Sequence, residues 1–150
     1  MIRKAKNSDV CRIAEILVFD KRMKYRPIFQ DDAFSFGNLQ VQPVMEEYSA
    51  PEILDNIWVY EDEELGIVKG LIHVSGRQIV SLYVDYFFQG QGIGSKLIDF
   101  AKKEFDVNFL WTIKKNTDAI RFYKAHDFQV TGTRKYEEGT TVYLVMLKRE

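Results

Sequence analysis

Gln89-Gly90-Gln91-Gly92-Ile93-Gly94-Ser95-Lys96 lies between a strand-like run and a helix-like run. Upstream, Ile79-Val80-Ser81-Leu82-Tyr83-Val84 alternates as a half-buried strand does. Downstream, Ile93, Leu97, Ile98, Ala101 and Phe105 recur at helical spacing. A strand that turns through three glycines into a helix leaves backbone N–H groups facing outward at the helix's positive end. That is a cradle suited to phosphate. Glycine serves there because a Cβ would block both positive-φ turns and close approach of a ligand to the backbone. Alone, such a turn names no ligand and could be a tight connection only.

The remaining sequence sets the frame. A chain of 150 residues is most simply one domain, 1–150, with length enough for a sizeable core. With 46% hydrophobic and 29% charged residues it has the composition of an ordinary globular protein. A net charge of −1 argues against a nucleic-acid partner. The lone Cys11 excludes an internal disulfide and a cysteine-rich zinc site, and it reads as a buried or indifferent thiol. With only His73 and His126 as imidazoles, no spacing suggests a metal centre. No apolar run reaches membrane length and Met1 to Lys6 lacks a signal core, so the expected location is cytoplasmic.

Along the chain, Ile2 to Lys4 reads as a strand. A helix capped by Asn7 or Ser8 follows, with Val10, Ile13, Ala14 and Leu17 on its face. Tyr25 to Ser49 is mixed, aromatics broken by Pro27, Gly37 and Pro43, and reads as loops with one or two short helices. Ile57 to Tyr60 is a strand, Glu61 to Glu64 its hairpin turn, and Ile67 to Val74 the partner. Past the glycine loop and its helix come a buried strand, Val107 to Ile113, and a helix capped by Asn116 or Thr117. Strands from Phe128 to Lys135 and Thr141 to Leu147, joined at Glu137-Glu138-Gly139, close the chain. The result is a mixed α/β domain.

Leu82-Tyr83-Val84 followed by Gln89-x-x-Gly92-x-Gly94 resembles the pyrophosphate-binding motif of GNAT-family N-acetyltransferases, Arg/Gln-x-x-Gly-x-Gly/Ala. Asn116 to Phe128 resembles the second signature of that family: an Asn opening a helix, an aromatic-Tyr pair, then a Phe. The likeness spans nearly the whole element order and is strongest from Trp58 to Phe128. A Rossmann reading fits less well, because its glycine spacing and following acidic residue are missing.

The resemblance implies a GNAT-like fold, a central mixed twisted sheet flanked by helices, and transfer of acetyl from acetyl-CoA to a primary amine by direct attack. The amine could be a small molecule or a protein amino group. On the same grounds, Leu82 and Val84 would offer main-chain groups to the pantetheine arm, on a strand that splays from its neighbour. Gln89, Gly90, Gly92, Gly94, Ser95 and Lys96 would surround the pyrophosphate. Asn116 would bond the cofactor arm, and Tyr123 would be the general acid for the leaving thiolate. No metal is implied, and the oligomeric state, monomer or homodimer, stays open. The alternatives are an acyl-CoA sensor without turnover, or a nucleotide-binding regulator using the same loop.

Two positions depart from the family pattern. Asp127 stands where a Gly usually ends the second motif, and Tyr86 where many members carry Pro. No residue matches a family base. Asp85, Glu61, His73 and a relayed water are the candidates, each carboxylate or imidazole being equally readable as a solvated or hydrogen-bonded strand end. Tyr123 alone could be a core aromatic. Tyr25, Phe29, Phe34 and Phe36 either line the acceptor site or pack the core, and His126 complements a helix C-terminus.

Overall fold

The structure, a computed structural model, describes residues 1–137, 140 and 142–150. Seven strands form one sheet: β1 (Ile2–Lys4), β2 (Ile57–Glu61), β3 (Val68–Ser75), β4 (Gln78–Val84), β5 (Phe109–Ile113), β6 (Gln129–Tyr136) and β7 (Tyr143–Lys148). Their order is β1-β2-β3-β4-β5-β7-β6. Every pairing is antiparallel except β4 with β5, which is parallel. The helices are α1 (Val10–Phe29), α2 (Val41–Tyr48), α3 (Pro51–Leu54), α4 (Ile93–Phe105) and α5 (Thr117–Ala125). The expected mixed sheet flanked by helices is what is found.

Alternation within the central strands divides the core. Ile57, Val59 and Leu71 face α1, α2 and α3 with Ile13, Leu17, Val44 and Leu54. Ile72, Val74 and Ile79 face α4 and α5 with Leu97, Ile98, Ala101, Tyr123 and Phe128. Each fully buried Ile or Leu contributes about 1.5–3 kcal/mol. Gly70 lets α4 settle onto β3: a Cβ there would lie 3.1 Å from Ile93 Cγ2, 3.1 Å from the Tyr83 carbonyl and 3.2 Å from Leu97 Cδ1.

Several boundaries differ from the sequence reading. Neither Asn7 nor Ser8 caps the first helix with its side chain. Residues Asn7–Asp9 form a 3-10 turn, and Asp9 Oδ2 accepts from the Lys6 amide at 2.8 Å. Pro27 does not break α1, which runs on to Phe29. Near a helix end only one backbone bond is forfeited by a proline. The excursion after it contains a wide helical turn over Ala33–Asn38, then α2 and α3. Arg22 holds that turn, donating to the carbonyls of Ser35 and Leu39 at 3.0 Å each. Glu61 belongs to β2, and the turn is made by Asp62, which accepts from the amides of Glu64 and Leu65. Cys11 is exposed, not buried. Of the expected last turn, Glu138 and Gly139 lie outside the described residues, as does Thr141.

Candidate active site

The parallel seam is the shortest in the interior of the sheet. β4 and β5 pair only at Gln78↔Phe109 and Ile79↔Leu110, near their first residues. Beyond that point β5 stays with β7 from Phe109 to Ile113, and β4 stays with β3 up to Val84. The strands therefore part. A register shift on β4 marks the place: His73 faces Ser81 while Val74 faces Ile79, so Val80 is an extra residue. Such a bulge bends its strand and breaks its ladder.

The opening is a cleft of about 1180 Å³. Its floor is Val80 to Tyr83 of β4 and Trp111 to Ile113 of β5, with Asn116 and, on α5, Ala119 and Tyr123 on one side and α1 on the other. The Asp85 amide donates to Lys69 of β3 at 2.8 Å. By alternation, the main-chain groups of Leu82 and Val84 point the opposite way, toward the parted edge.

The glycine loop enters α4 beside this edge. Gly90 and Gly92 have φ of 78° and 81°, with nothing within 4 Å of a Cβ built on either. Among the described residues, the amides of Gly92, Ile93, Gly94 and Ser95 donate to no protein acceptor. Those are the orphan donors of a helix start, at its positive end. Gly94 serves packing: a Cβ there would meet the Phe122 ring at 3.3 Å.

Three loop side chains are already engaged. Gln89 Nε2 donates to the Val84 carbonyl at 3.1 Å and to Asp20 Oδ1 at 3.3 Å, which leaves the main chain of Gln89 for any ligand. Ser95 Oγ lies 3.1 Å from His126 Nε2, so His126 meets the loop as well as ending α5. Lys96 stands apart from the expected group. As the fourth helical residue its amide has a carbonyl to bond, that of Gly92 at 3.1 Å, and its ammonium lies 5.6 Å from the Tyr60 ring centroid.

Asn116 caps α5, its Oδ1 accepting from the Ala119 amide at 3.2 Å, so its carboxamide nitrogen is available to the cleft. Tyr123, two turns on, is buried with its ring edge-on to Phe128 at 5.9 Å. Burial pushes the Tyr123 phenol far above the ordinary tyrosine range, so at neutral pH it is a proton donor. Burial raises Tyr25 to about 12 as well, and Tyr83 well above its usual value.

None of the three base candidates lines the cleft. Asp85 Oδ2 pairs with Arg12 at 2.8 Å, and its Oδ1 accepts from the Phe87 amide in the 3-10 turn that Tyr86 opens. Glu61 pairs with Arg3 at 3.2 Å on the far side of β2. His73 sits on β3, where burial lowers its basicity. Tyr25, Phe29 and Phe34 do line the cleft; Phe36 packs under Arg22 and Arg26 instead.

One cleft residue was missed. Asp20 of α1 is 4% exposed, pairs with Lys24 Nζ at 3.2 Å through Oδ1, and among the described residues has no donor on Oδ2. Burial holds its carboxyl above the ordinary range. Its signal was available: the apolar stripe Ile13, Leu17 continues at Asp20 and Lys24, and an acid in such a stripe is out of place.

Comparison with known proteins agrees with this geometry. Residues 54–130 match the acetyltransferase (GNAT) domain family, and the chain belongs to that family of acetyl-CoA-dependent acyltransferases. No curated protein matches it in sequence. Among solved structures, apo YjaB from Escherichia coli is 21% identical with a TM-score of 0.79, over 99% of this chain and 95% of that one. The PaiA N-acetyltransferase of Thermoplasma acidophilum in complex with coenzyme A is 16% identical, TM-score 0.73, over 100% and 98%. YncA of Salmonella typhimurium with its cofactor acetyl-CoA is 19% identical, TM-score 0.67, over 100% and 92%. At these identities the likeness carries the fold.

Proposed function

We propose that residues 1–150 form one N-acetyltransferase domain that moves acetyl from acetyl-CoA to a primary amine by direct attack. The observation that supports it most is the parting of β4 from β5 at the Val80 bulge, together with a helix start beyond β4 whose Gly92 to Ser95 amides donate to no acceptor among the described residues. Acetyl-CoA would supply the activated acyl group when bound.

The residues fit a long, phosphate-bearing thioester. Leu82, and Val84 through its amide, would offer a strand edge to an amide-containing arm, the Val84 carbonyl being held by Gln89. The Gly92 to Ser95 amides suit a diphosphate, while Gly90 and Gly92 keep side chains out of its way. Asn116 Nδ2, without an acceptor among the described residues, would serve the arm. Main-chain N–H groups near the Val80 bulge would stabilise charge on a carbonyl oxygen, and Tyr123 would protonate the leaving thiolate. Direct attack requires no enzyme nucleophile. Lys96 is not part of this reading. Among the described residues no helix is long and apolar enough to cross a membrane. A cytoplasmic site of action belongs to the same reading.

The test is thiol release from acetyl-CoA against a panel of small amines, peptides and amino sugars, run beside thermal stabilisation by CoA. The reading expects both. Stabilisation by CoA with no release on any amine would make the chain an acyl-CoA sensor. Stabilisation by ATP or NAD but not CoA would make it a nucleotide-binding regulator.

A further inference from the structure

We propose that Asp20 receives the ammonium of the acceptor and takes its proton, so that the acceptor is a basic, cationic amine. The inference rests on the transferase reading above and names a residue that reading lacks. Asp85 and Glu61 are bound to arginines away from the cleft; Asp20, Asp31 and Glu137 line it, and of these three only Asp20 is buried. Oδ1 is engaged by Gln89 and Lys24, while Oδ2 has no donor among the described residues.

A buried carboxylate with one unused oxygen is costly unless a cation or donor completes it. Lys24 pairs with Oδ1 from a side chain that is 42% exposed and leaves Oδ2 uncompleted. The exposed Lys24 ammonium can swing away into solvent, so it does not bar an incoming ammonium from the carboxylate. The other groups facing Asp20 are Lys21 and Tyr25 on α1 and Tyr83 on β4. The two tyrosines stay neutral near pH 7, and Lys21 adds positive charge that favours the ionised carboxylate.

The protons balance. The ammonium gives one proton to Asp20 Oδ2, and the freed lone pair forms the N–C bond as the C–S bond breaks. The thiolate takes the Tyr123 proton, and the nitrogen's surplus proton restores the phenol. Asp20 returns its own proton to water. Gln89 ties the same carboxylate to the glycine loop, so cofactor and acceptor sites share one hydrogen-bonded link.

The experiment compares wild type, Asp20→Asn and Lys24→Met as full chains, using the most active alkylamine of the panel and a weakly basic arylamine that arrives uncharged. For the alkylamine near pH 7, Asp20→Asn should lower kcat/KM by about 10²-fold or more. The loss should shrink as pH rises and the amine deprotonates itself. For the arylamine the loss should stay below about fivefold, within the reach of packing changes. CoA affinity by calorimetry should be retained within about threefold, and Lys24→Met should not raise the alkylamine KM. Burial of an ionised Asp20 also predicts that Asp20→Asn melts higher than wild type at neutral pH, a readout independent of turnover.

Wild-type rates in Asp20→Asn, equal losses on both amines, or a parallel loss of CoA binding would each overturn the proposal. A KM rise in Lys24→Met as large as that in Asp20→Asn would do so too, making the ion pair structural. If wild type releases no thiol with any amine, the transferase reading falls and takes the proton-acceptor role with it.

Discussion

Asp127 sits at φ 76°, in the left-handed region, at the turn that ends α5. The family pattern has Gly there, and the backbone shows why: the Phe128 amide must return to the Tyr123 carbonyl at 3.1 Å. An L residue in that conformation costs about 1–2 kcal/mol, less for Asp. Asp127 recovers part through Lys102 at 3.1 Å, but that carboxylate is 84% exposed and the pair is weak. Asp127→Gly should therefore be neutral to stabilising by up to about 1 kcal/mol, and a denaturant midpoint that falls would contradict this. At Tyr123 the stakes are chemical. Tyr123→Phe keeps the packing with Phe128 and removes the proton, so kcat should drop by about 10²-fold with CoA affinity held. Wild-type turnover would dismiss Tyr123 as the acid. Both positions were visible in the sequence because a motif surrounds them. Asp20 lies outside any motif, and only its place in the α1 stripe marks it.

At the scale of elements, what could be read followed local pattern. The alternation of β4 and the helical spacing after Gly92 are properties of neighbouring residues, and both elements form as read. The excursion between α1 and β2 could not be read. Its turns are held by Arg22 reaching carbonyls 13 and 17 residues on, a tertiary contact without local periodicity. The bulge at Val80 was equally hidden, since it exists only in the register between β3 and β4. Gly70 is the element-scale test. Its missing Cβ lets α4, and with it the glycine loop, lie against β3. Gly70→Ala should cost about 1–3 kcal/mol by overpacking and weaken CoA binding, because α4 must move. Stability unchanged by calorimetric melting would show that α4 tolerates the shift.

For the whole molecule, charge explains how stability should vary with pH. Arg3 clamps Asp9, at 2.8 and 3.0 Å, and Glu61 across β1 and β2, holding both carboxyls below their ordinary range. Lys69 and two amides lower Asp62 to about 2. A depressed carboxyl contributes stability above its unfolded value and loses it as pH falls through the folded one. Urea midpoints should thus fall between about pH 4 and pH 2, and Asp62→Asn should flatten the lower part of that fall. Asp20 has the opposite sign: its raised carboxyl favours the folded protonated form at low pH and costs stability as pH rises through its folded value. The gain from Asp20→Asn should appear at neutral pH and vanish in acid. A midpoint flat with pH would contradict both assignments. A destabilising buried carboxylate in the cleft is what a functional group looks like.

The glycine loop and the parted strand edge stand or fall on one binding measurement. Calorimetric titration of CoA into folded wild type should give saturable one-to-one heat. Gly92→Val, its fold checked by circular dichroism, should bind at least about tenfold more weakly, a difference of about 1.4 kcal/mol. No heat with well-folded wild type, or equal affinity in the variant, would contradict the account.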